Sequence, residues 1–476
     1  MLFNSLEYFV FLPFVFLLYY IIPGRFRWIF LLLASYYFYM CWRAEYIVLI
    51  LLATAVDYSA GRLIEKWREN KKLKKIVLCS AFSLNLSLLF FFKYYDFFTT
   101  SMSVAMQAFN IRMLFPDFDI LLPVGISFYT FQSLSYTIDV YRGTSAAEKH
   151  LGYYALYVSF FPQMVAGPIE RPAHLLPQLK KEHSFDYALA VSGIKSIAFG
   201  FFKKSVIADR LAFYVSAVFD HPDAYHGLPV ALAFFFFTVQ IYCDFSGYSD
   251  IAIGSARLLG IKLIDNFKFP YFSSSFREFW QRWHISLSGW FRDYVYIPLG
   301  GSRVSKYKRW VNIFITFLIS GIWHGANWTF VIWGAMHGLL LIAEEILGAV
   351  FAGGKNFFRK FSLLNIVFVF VLLCFTMIFV RAASVNDVFL LLKNLLVIDG
   401  NQLSLFLIRG ELEIMLCFVF IILLFAADYL QYKYGSAQVV MQRFSFSARQ
   451  AFYIACVFLI LAFGIFGKNQ FIYFQF

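Results

Sequence analysis

The sequence predicts an all-helical integral membrane protein that crosses the bilayer many times. Of its 476 residues, 61% are hydrophobic and only 14% are charged, whereas soluble domains are about half apolar and about a quarter charged. The mean hydropathy is +0.68, and apolar runs without charges recur along the whole chain. These observations exclude a soluble enzyme, a disordered chain and a nucleic-acid-binding module.

The charge-free runs predict about 11 transmembrane helices in one membrane domain over residues 1–476. A further stretch, Tyr187–Phe219, contains several charges and adds one or two segments. Several runs are shorter than the about 20 residues that a spanning helix needs, so some helices are expected to tilt or to be re-entrant. In order, the runs are Tyr8–Gly24, Trp28–Trp42, Tyr46–Val56, Ile76–Phe92, Ile120–Ile138, Leu151–Ile169, Gly227–Cys243, Val311–Ala343, Phe361–Val380, Ile414–Ala427 and Ala451–Gly467.

Basic loops predict the orientation. The chain has 41 Lys and Arg against 28 Asp and Glu, a net charge of +13, and in membrane proteins such an excess marks cytoplasmic loops. The densest cluster, Arg62–Lys75, is therefore placed in the cytoplasm, as is Arg303–Arg309. Counting back three spans from the first cluster puts the N-terminus outside the cytoplasm.

A polar but aromatic stretch, from Asp244 to Gly301, interrupts the apolar runs. Within it, Ser274–Trp290 has helical periodicity, which predicts an amphipathic helix that lies at the interface or dips into the bundle. A surface helix with snorkelling arginines explains the same pattern equally well. One face of the predicted helix carries Trp280, Trp283, His284, Leu287 and Phe291.

The run Val311–Ala343 has no acidic or basic residue except two histidines, His324 and His337. A straight helix of that length would be about 50 Å long, more than the hydrocarbon core, so it is expected to break, and Gly321, Gly325 and Asn327 mark the region of the break. His324 sits at this break, deep in the membrane or near its far side, where an ionisable residue indicates function. A packed core histidine is the alternative, and for His337 the structural role is favoured.

Other chemistry has no support in the sequence. The six cysteines are scattered without a CxxC pair, and no His/Glu spacing typical of a metal site occurs, so no metal is predicted. Nucleophile-elbow and phosphate-loop patterns are also absent from the sequence. Acid–base chemistry by histidine in a membrane cavity is what remains.

Several long motifs, in a fixed order, resemble the membrane-bound O-acyltransferase family. They are Phe276–Gly301 (FREFWQRWHISLSGWFRDYVYIPLGG), Gly321–Gly325 (GIWHG), Trp333–Gly338 (WGAMHG), Pro123–Gly143, Phe161–Leu179 and Asp244–Gly254. The resemblance is greatest to the bacterial branch typified by the membrane subunit of alginate O-acetylation. It implies a ring of transmembrane helices around a central funnel and tunnel, with a catalytic core at about residues 120–345.

The resemblance also implies an activity and a site. The family's essential histidine falls on His324 and its second motif histidine on His284, and acyl transfer to a hydroxyl requires a base for that hydroxyl. Within the same motifs, Trp323, Asn327, Arg282, Trp283 and Asp293 are candidates to line the tunnel or to contact substrate. Arg277, Arg282 and Arg292 are candidates to attract an anionic donor such as acetyl-CoA, although contacts with lipid phosphate or with Asp and Glu are the favoured explanation.

The sequence therefore predicts an O-acetyltransferase of the bacterial inner membrane. It would move an acetyl group from a cytosolic thioester to a polysaccharide hydroxyl, directly or through a periplasmic O-acetyltransferase partner, with no bound cofactor. A D-alanyl transferase of teichoic acid, fed by a carrier protein, is the alternative in the same class. A proton-coupled transporter and a non-catalytic scaffold are alternatives from other classes; the transporter is disfavoured because the two halves show no matching broken segments.

Overall fold

The computed structural model describes residues 1–113, 115–118, 121–164, 167–350, 362–397, 409–435, 441–467 and 471–472. Within those ranges every regular element is helical. The α-helices are α1 (Leu6–Ile21), α2 (Arg27–Met40), α3 (Ile47–Lys66), α4 (Lys71–Leu89), α5 (Tyr95–Gln107), α6 (Ile126–Arg142), α7 (Leu151–Ser159), α8 (Phe161–Met164), α9 (Pro172–Lys180), α10 (Tyr187–Phe201), α11 (Asp209–Phe219), α12 (Leu228–Leu258), α13 (Phe276–Arg282), α14 (Ile285–Phe291), α15 (Lys306–His324), α16 (Trp328–Val350), α17 (Ser362–Arg381), α18 (Val385–Leu395), α19 (Glu411–Tyr434) and α20 (Phe446–Phe463).

Seven helices of the described ranges are long and apolar enough to cross a membrane. The all-helical, membrane-spanning character predicted from composition is thereby confirmed. The predicted runs include positions 120, 165–166 and 361, which lie outside the described residues. The seven helices are Ala44–Lys66, Lys71–Gln107, Leu228–Leu258, Trp328–Gly348, Leu363–Arg381, Glu411–Tyr434 and Phe446–Phe463.

The chain divides into two compact units. Unit 1 comprises residues 1–195 and 252–264 with residue 476, and unit 2 comprises residues 196–251 and 265–475. The predicted catalytic core at about residues 120–345 draws on both units, and the prediction of a single domain stays a prediction.

Buried polar bonds join the helices of unit 1. Asp57 of α3 is fully buried, and its carboxylate accepts hydrogen bonds from Asn85 of α4 (2.8 Å) and Thr137 of α6 (2.6 Å). Glu170, also fully buried, accepts from the backbone N–H of Ile264 (2.7 Å) and contacts His174 of α9 (2.6 Å). These bonds satisfy polar groups that would otherwise be costly to bury.

Helix α12 is longer than the predicted run Gly227–Cys243. The polar residues that follow Cys243 continue the helix to Leu258 instead of ending it. They can do so because both of their carboxylates are paired: Asp244 pairs with Lys204 at 2.6 Å, and Asp250 pairs with Lys203 at 2.5 Å. Charges that pair within the fold do not force a helix out of the membrane.

Candidate functional site

The predicted break in the long apolar run is present. Helix α15 ends at His324, Gly325 is extended (φ −159°, ψ 151°), and α16 begins at Trp328. Gly325 is required at this turn, since a Cβ there would lie 2.2 Å from the ring of Phe330. The side chain of Asn327 holds the turn by accepting from the N–H of Thr329 (3.0 Å) and donating to the carbonyl of Ala383 (2.8 Å).

The two helices then cross at very short range. A Cβ on Gly321 would lie 2.9 Å from the Cα of Gly334, and one on Gly334 would lie 2.9 Å from the Cα of Gly321. This close crossing returns Trp333 to the end of α15, where its ring meets His324 edge-on at 4.9 Å between centres. His324 is 6% exposed as a result.

The predicted helix Ser274–Trp290 is wrong in one respect: it is two short helices, and His284 lies between them. His284 has left-handed backbone angles (φ 44°, ψ 55°), which end α13 and start α14 in a new direction. Such angles are uncommon for a residue with a side chain and require support from the fold. Consequently Trp280 and Trp283 do not share one continuous helix face with Leu287.

Asn266 supports this backbone. Its carbonyl accepts from the N–H of Ile285 at 3.0 Å, and its side-chain oxygen accepts from the N–H and hydroxyl of Ser286 at 3.2 and 2.7 Å. Asn266 is 1% exposed and is 18 positions before His284, in a segment without helical pattern. Sequence analysis missed it because only the folded chain brings it to α14.

Three of the predicted site residues meet in unit 2. The rings of His284 and His324 are 6.4 Å apart between centres, and Trp323 lies 6.3 Å from the first and 5.1 Å from the second. His284 is fully buried, and Phe245 contacts its ring edge-on at 4.6 Å. A direct N–H···N bond between two imidazoles would bring their centres to about 5 Å, so the two histidine rings are too far apart for a direct hydrogen bond.

His284 lies outside the seven candidate spans, and its surroundings determine its charge. Burial lowers the pKa of His284 well below its usual value, and the neighbouring His324 lowers that pKa further. The ring is therefore neutral near pH 7, with one nitrogen as donor and the other as acceptor. A neutral histidine can donate a hydrogen bond to an oxygen without placing a charge in the buried site.

The other predicted site residues have partners elsewhere. Arg282 pairs with Glu278 (2.6 Å), and Asp293 accepts from Arg292 (2.8 Å). Trp283 packs against Phe267, 5.0 Å between ring centres. The structure thus brings Trp323 to the two histidines, whereas Arg282, Asn327 and Asp293 bond to other residues, and their predicted role at the tunnel stays a prediction.

The three arginines predicted to attract an anionic donor each have an acidic neighbour. Arg282 and Arg292 pair as above, and Arg277 lies 3.7 Å from Glu345. This arrangement favours the alternative of contacts with Asp and Glu over a free anion-binding patch. His337, fully buried, contacts the rings of Trp333 (4.9 Å) and Trp280 (5.2 Å), and its favoured structural role stays a prediction.

Comparison with known proteins identifies this site's family. The model of the MBOAT, membrane-bound O-acyltransferase family, matches residues 147–385, half of the chain, and those residues include both histidines. The chain belongs to the membrane-bound O-acyltransferase family. It is therefore an acyltransferase embedded in a membrane, and the resemblance drawn from the motifs is confirmed.

Relatives within the membrane-bound O-acyltransferases differ in how much of this chain they match. The protein named probable alginate O-acetylase AlgI of Pseudomonas putida is 42% identical over 71% of this chain and 70% of its own length. The peptidoglycan O-acetyltransferase of Helicobacter pylori is 33% identical over 85% of this chain and 81% of its own. The teichoic acid D-alanyltransferase of Bacillus subtilis is 29% identical over 52% and 62%, so the O-acetylating relatives are the more similar.

Proposed function

We propose that this acyltransferase moves an acetyl group from a thioester donor to a hydroxyl of a cell-surface or exported polysaccharide. The observation that carries the proposal is the meeting of buried His324 and His284 in one aromatic cluster. The similarity to relatives named for O-acetylation of alginate and of peptidoglycan supports acetyl as the group and a glycan as the acceptor.

In the proposed reaction, His324 is the general base. A ring nitrogen accepts the proton of the attacking hydroxyl, whose oxygen forms a bond to the thioester carbonyl carbon. The carbon–sulfur bond then breaks, and the same proton passes from His324 to the leaving thiolate. The products are an ester and a thiol, and the histidine returns to its starting state.

We assign to His284 the stabilisation of the negative charge that develops on the carbonyl oxygen. That oxygen needs a hydrogen-bond donor in a site from which water is excluded. A buried neutral imidazole supplies one N–H, and the left-handed backbone held by Asn266 keeps the ring in one orientation. Phe245 and Trp323 exclude water on either side.

The donor and the setting are part of the proposal. Acetyl-CoA from the cytosol is the proposed donor substrate, with no bound cofactor. The chain would form a ring of about 11 membrane helices around a funnel and tunnel in the bacterial inner membrane, its N-terminus outside. The acetyl group would then pass to the polysaccharide directly or to a periplasmic O-acetyltransferase partner.

The test is transfer of label from radiolabelled acetyl-CoA by the purified protein in liposomes. Wild type is compared with His324→Ala at equal folded amounts, and His221→Ala, the same change at an exposed histidine of unit 2, is the matched control. We expect label to reach an acceptor or the protein in the wild type and the control but not in His324→Ala.

Other outcomes would overturn parts of the proposal. Equal transfer by His324→Ala would assign His324 a structural role and remove the proposed base. Transfer from a D-alanyl carrier protein but not from acetyl-CoA would replace acetyl by D-alanine. Movement of solute without label transfer would favour a transporter.

A further inference from the structure

A small cleft of about 60 Å³ lies in unit 1, where α1 turns into α2 against the end of α9. Four cationic side chains line it: Arg25, Arg27, Lys180 and Lys181. Glu182 is the acidic residue in the lining, and Glu148 beside it pairs with Lys180, so the four cations exceed the two carboxylates by two charges. A concave site with this balance attracts anions.

Two of these cations are already engaged. Arg27 donates to the carbonyls of His183 (2.6 Å) and Ile22 (3.0 Å), which fixes the wall of the cleft. Lys180 forms an ion pair with the buried Glu148. Their positive charges are therefore held in place.

The other two cations are available. The Arg25 guanidinium stacks on the ring of Phe26 (4.7 Å), and neither the Arg25 nor the Lys181 side chain forms an ion pair or donates a hydrogen bond to any residue in the part of the chain that the structure describes. Both residues are exposed. Arginine in particular presents parallel N–H donors that match the oxygens of a phosphate.

The surroundings of the cleft are those of a membrane boundary. Helix α1 is a short apolar helix, so we expect its end, where the chain turns into α2, near the level at which the hydrocarbon core meets water. Large apolar side chains beside it are exposed: Ile21 by 74%, Phe26 by 45% and Phe185 by 52%. Trp28 and Tyr153 line the cleft itself, and such residues favour the level of the lipid headgroups.

We propose that this cleft binds the phosphate of an anionic phospholipid headgroup. Arg25 and Lys181 contact the phosphate oxygens, Arg27 and Lys180 add fixed positive charge, and the acyl chains lie along the exposed apolar side chains. The lipid links the α1–α2 turn to the end of α9, so binding stabilises the folded protein by mass action. A free phosphate compound has the same charged group but gains nothing from the apolar surroundings.

The experiment measures thermal unfolding of the purified full chain in detergent, with phosphatidylglycerol, phosphatidylcholine, inorganic phosphate or coenzyme A added. The variant is Arg25→Gln/Lys181→Gln. Its matched control is Arg68→Gln/Lys71→Gln, which removes the same charge from exposed positions at the α3–α4 junction. Arg25→Lys/Lys181→Arg tests rescue by retained charge.

We expect phosphatidylglycerol, but not phosphatidylcholine, to raise the unfolding temperature of wild type and control. The Arg25→Gln/Lys181→Gln variant should unfold as wild type does without lipid and need at least about tenfold more phosphatidylglycerol for the same shift. The charge-retaining variant should respond as wild type does.

Two results would overturn the proposal. An equal loss of response in the Arg68→Gln/Lys71→Gln control would show attraction to surface charge in general. Stabilisation by inorganic phosphate or coenzyme A, with none from phosphatidylglycerol, would show that the ligand is a soluble phosphate and not a lipid. The outcomes do not depend on acetyl transfer, so the proposed function stands or fails separately.

Discussion

The imidazole rings of His284 and His324 are buried at two different helix ends and lie 6.4 Å apart between ring centres. One histidine ends α15, and the other is the left-handed residue between α13 and α14. This separation is too long for one ring to orient the other by a direct hydrogen bond. The proposed mechanism therefore gives each histidine a separate task at the reacting group.

Replacing His324 tests the task assigned to it. His324→Ala should lower the rate of acetyl transfer by about 10²–10⁴-fold, because a positioned general base contributes that much. The rate per folded protein is measured with saturating donor and compared with that of His221→Ala. A fall of the same size in His221→Ala would trace the loss to preparation rather than to the base.

The backbone at His284 makes a prediction about stability. Asparagine tolerates left-handed angles and a β-branched residue does not, so His284→Val should be less stable than His284→Asn by about 1–2 kcal/mol. Thermal unfolding in detergent compares the two, and turnover should fall in both because neither side chain reproduces the imidazole. Equal unfolding temperatures would mean that the loop relaxes and that its conformation is not imposed.

The crossing of α15 and α16 should be sensitive to a single methyl group. Gly321→Ala would place a Cβ 2.3 Å from the carbonyl oxygen of Phe330, and overpacking of this kind costs about 1–3 kcal/mol. Gly348→Ala is the matched control on α16, since nothing lies within 4 Å of its added Cβ. We expect a lower unfolding temperature for Gly321→Ala alone, together with slower transfer because His324 shifts with the helix end.

The sequence predicted those features of the site that depend on neighbouring residues, but not those that depend on residues distant along the chain. The break after His324 was predictable because charge-free length and glycine positions are local properties of the run. The change of direction at His284 was not, because the helical periodicity of Ser274–Trp290 continues through it. What overrides that periodicity is Asn266, a buried residue distant in sequence.

Helices that carry charges show the same limit of prediction from sequence. The stretch Tyr187–Phe219 and the continuation of α12 beyond Cys243 were not predicted as pure spans because they carry charges. In the fold, Lys204 pairs with Asp244 of α12, so both charges are compensated. Composition records that charges are present but not which of them pair.

A pH dependence follows from His174 of α9, which lies outside the candidate spans. Its hydrogen bond to Glu170 raises the pKa of His174 above its usual value, although burial opposes the shift. Because the pKa of His174 is raised in the folded state, its protonation stabilises the fold fully at pH values below the unfolded pKa of about 6.5. This contribution is lost as the pH rises through the folded pKa.

The unfolding temperature of His174→Gln should therefore lie further below that of wild type at pH 5.5 than at pH 8.5. Because the side chain is 42% exposed, solvent screening keeps the difference small. His221→Gln, measured at both pH values, provides the baseline for an exposed histidine. A gap that widens toward pH 8.5 would contradict the assigned direction.

Replacement of Lys204 tests how much stability is lost when a buried cation is removed and its acidic partners remain. Its ammonium group lies 2.8 Å from Asp209 and 2.6 Å from Asp244, and all three side chains are at most 3% exposed. Lys204→Met would leave two carboxylates buried without their cation, and removal of one partner of such a pair costs about 3–5 kcal/mol. The yield of folded protein and its unfolding temperature should fall sharply. The triple variant Lys204→Met/Asp209→Asn/Asp244→Asn removes all three charges and should recover most of the lost stability. A triple variant no more stable than Lys204→Met would instead assign the loss to packing of the lysine stem.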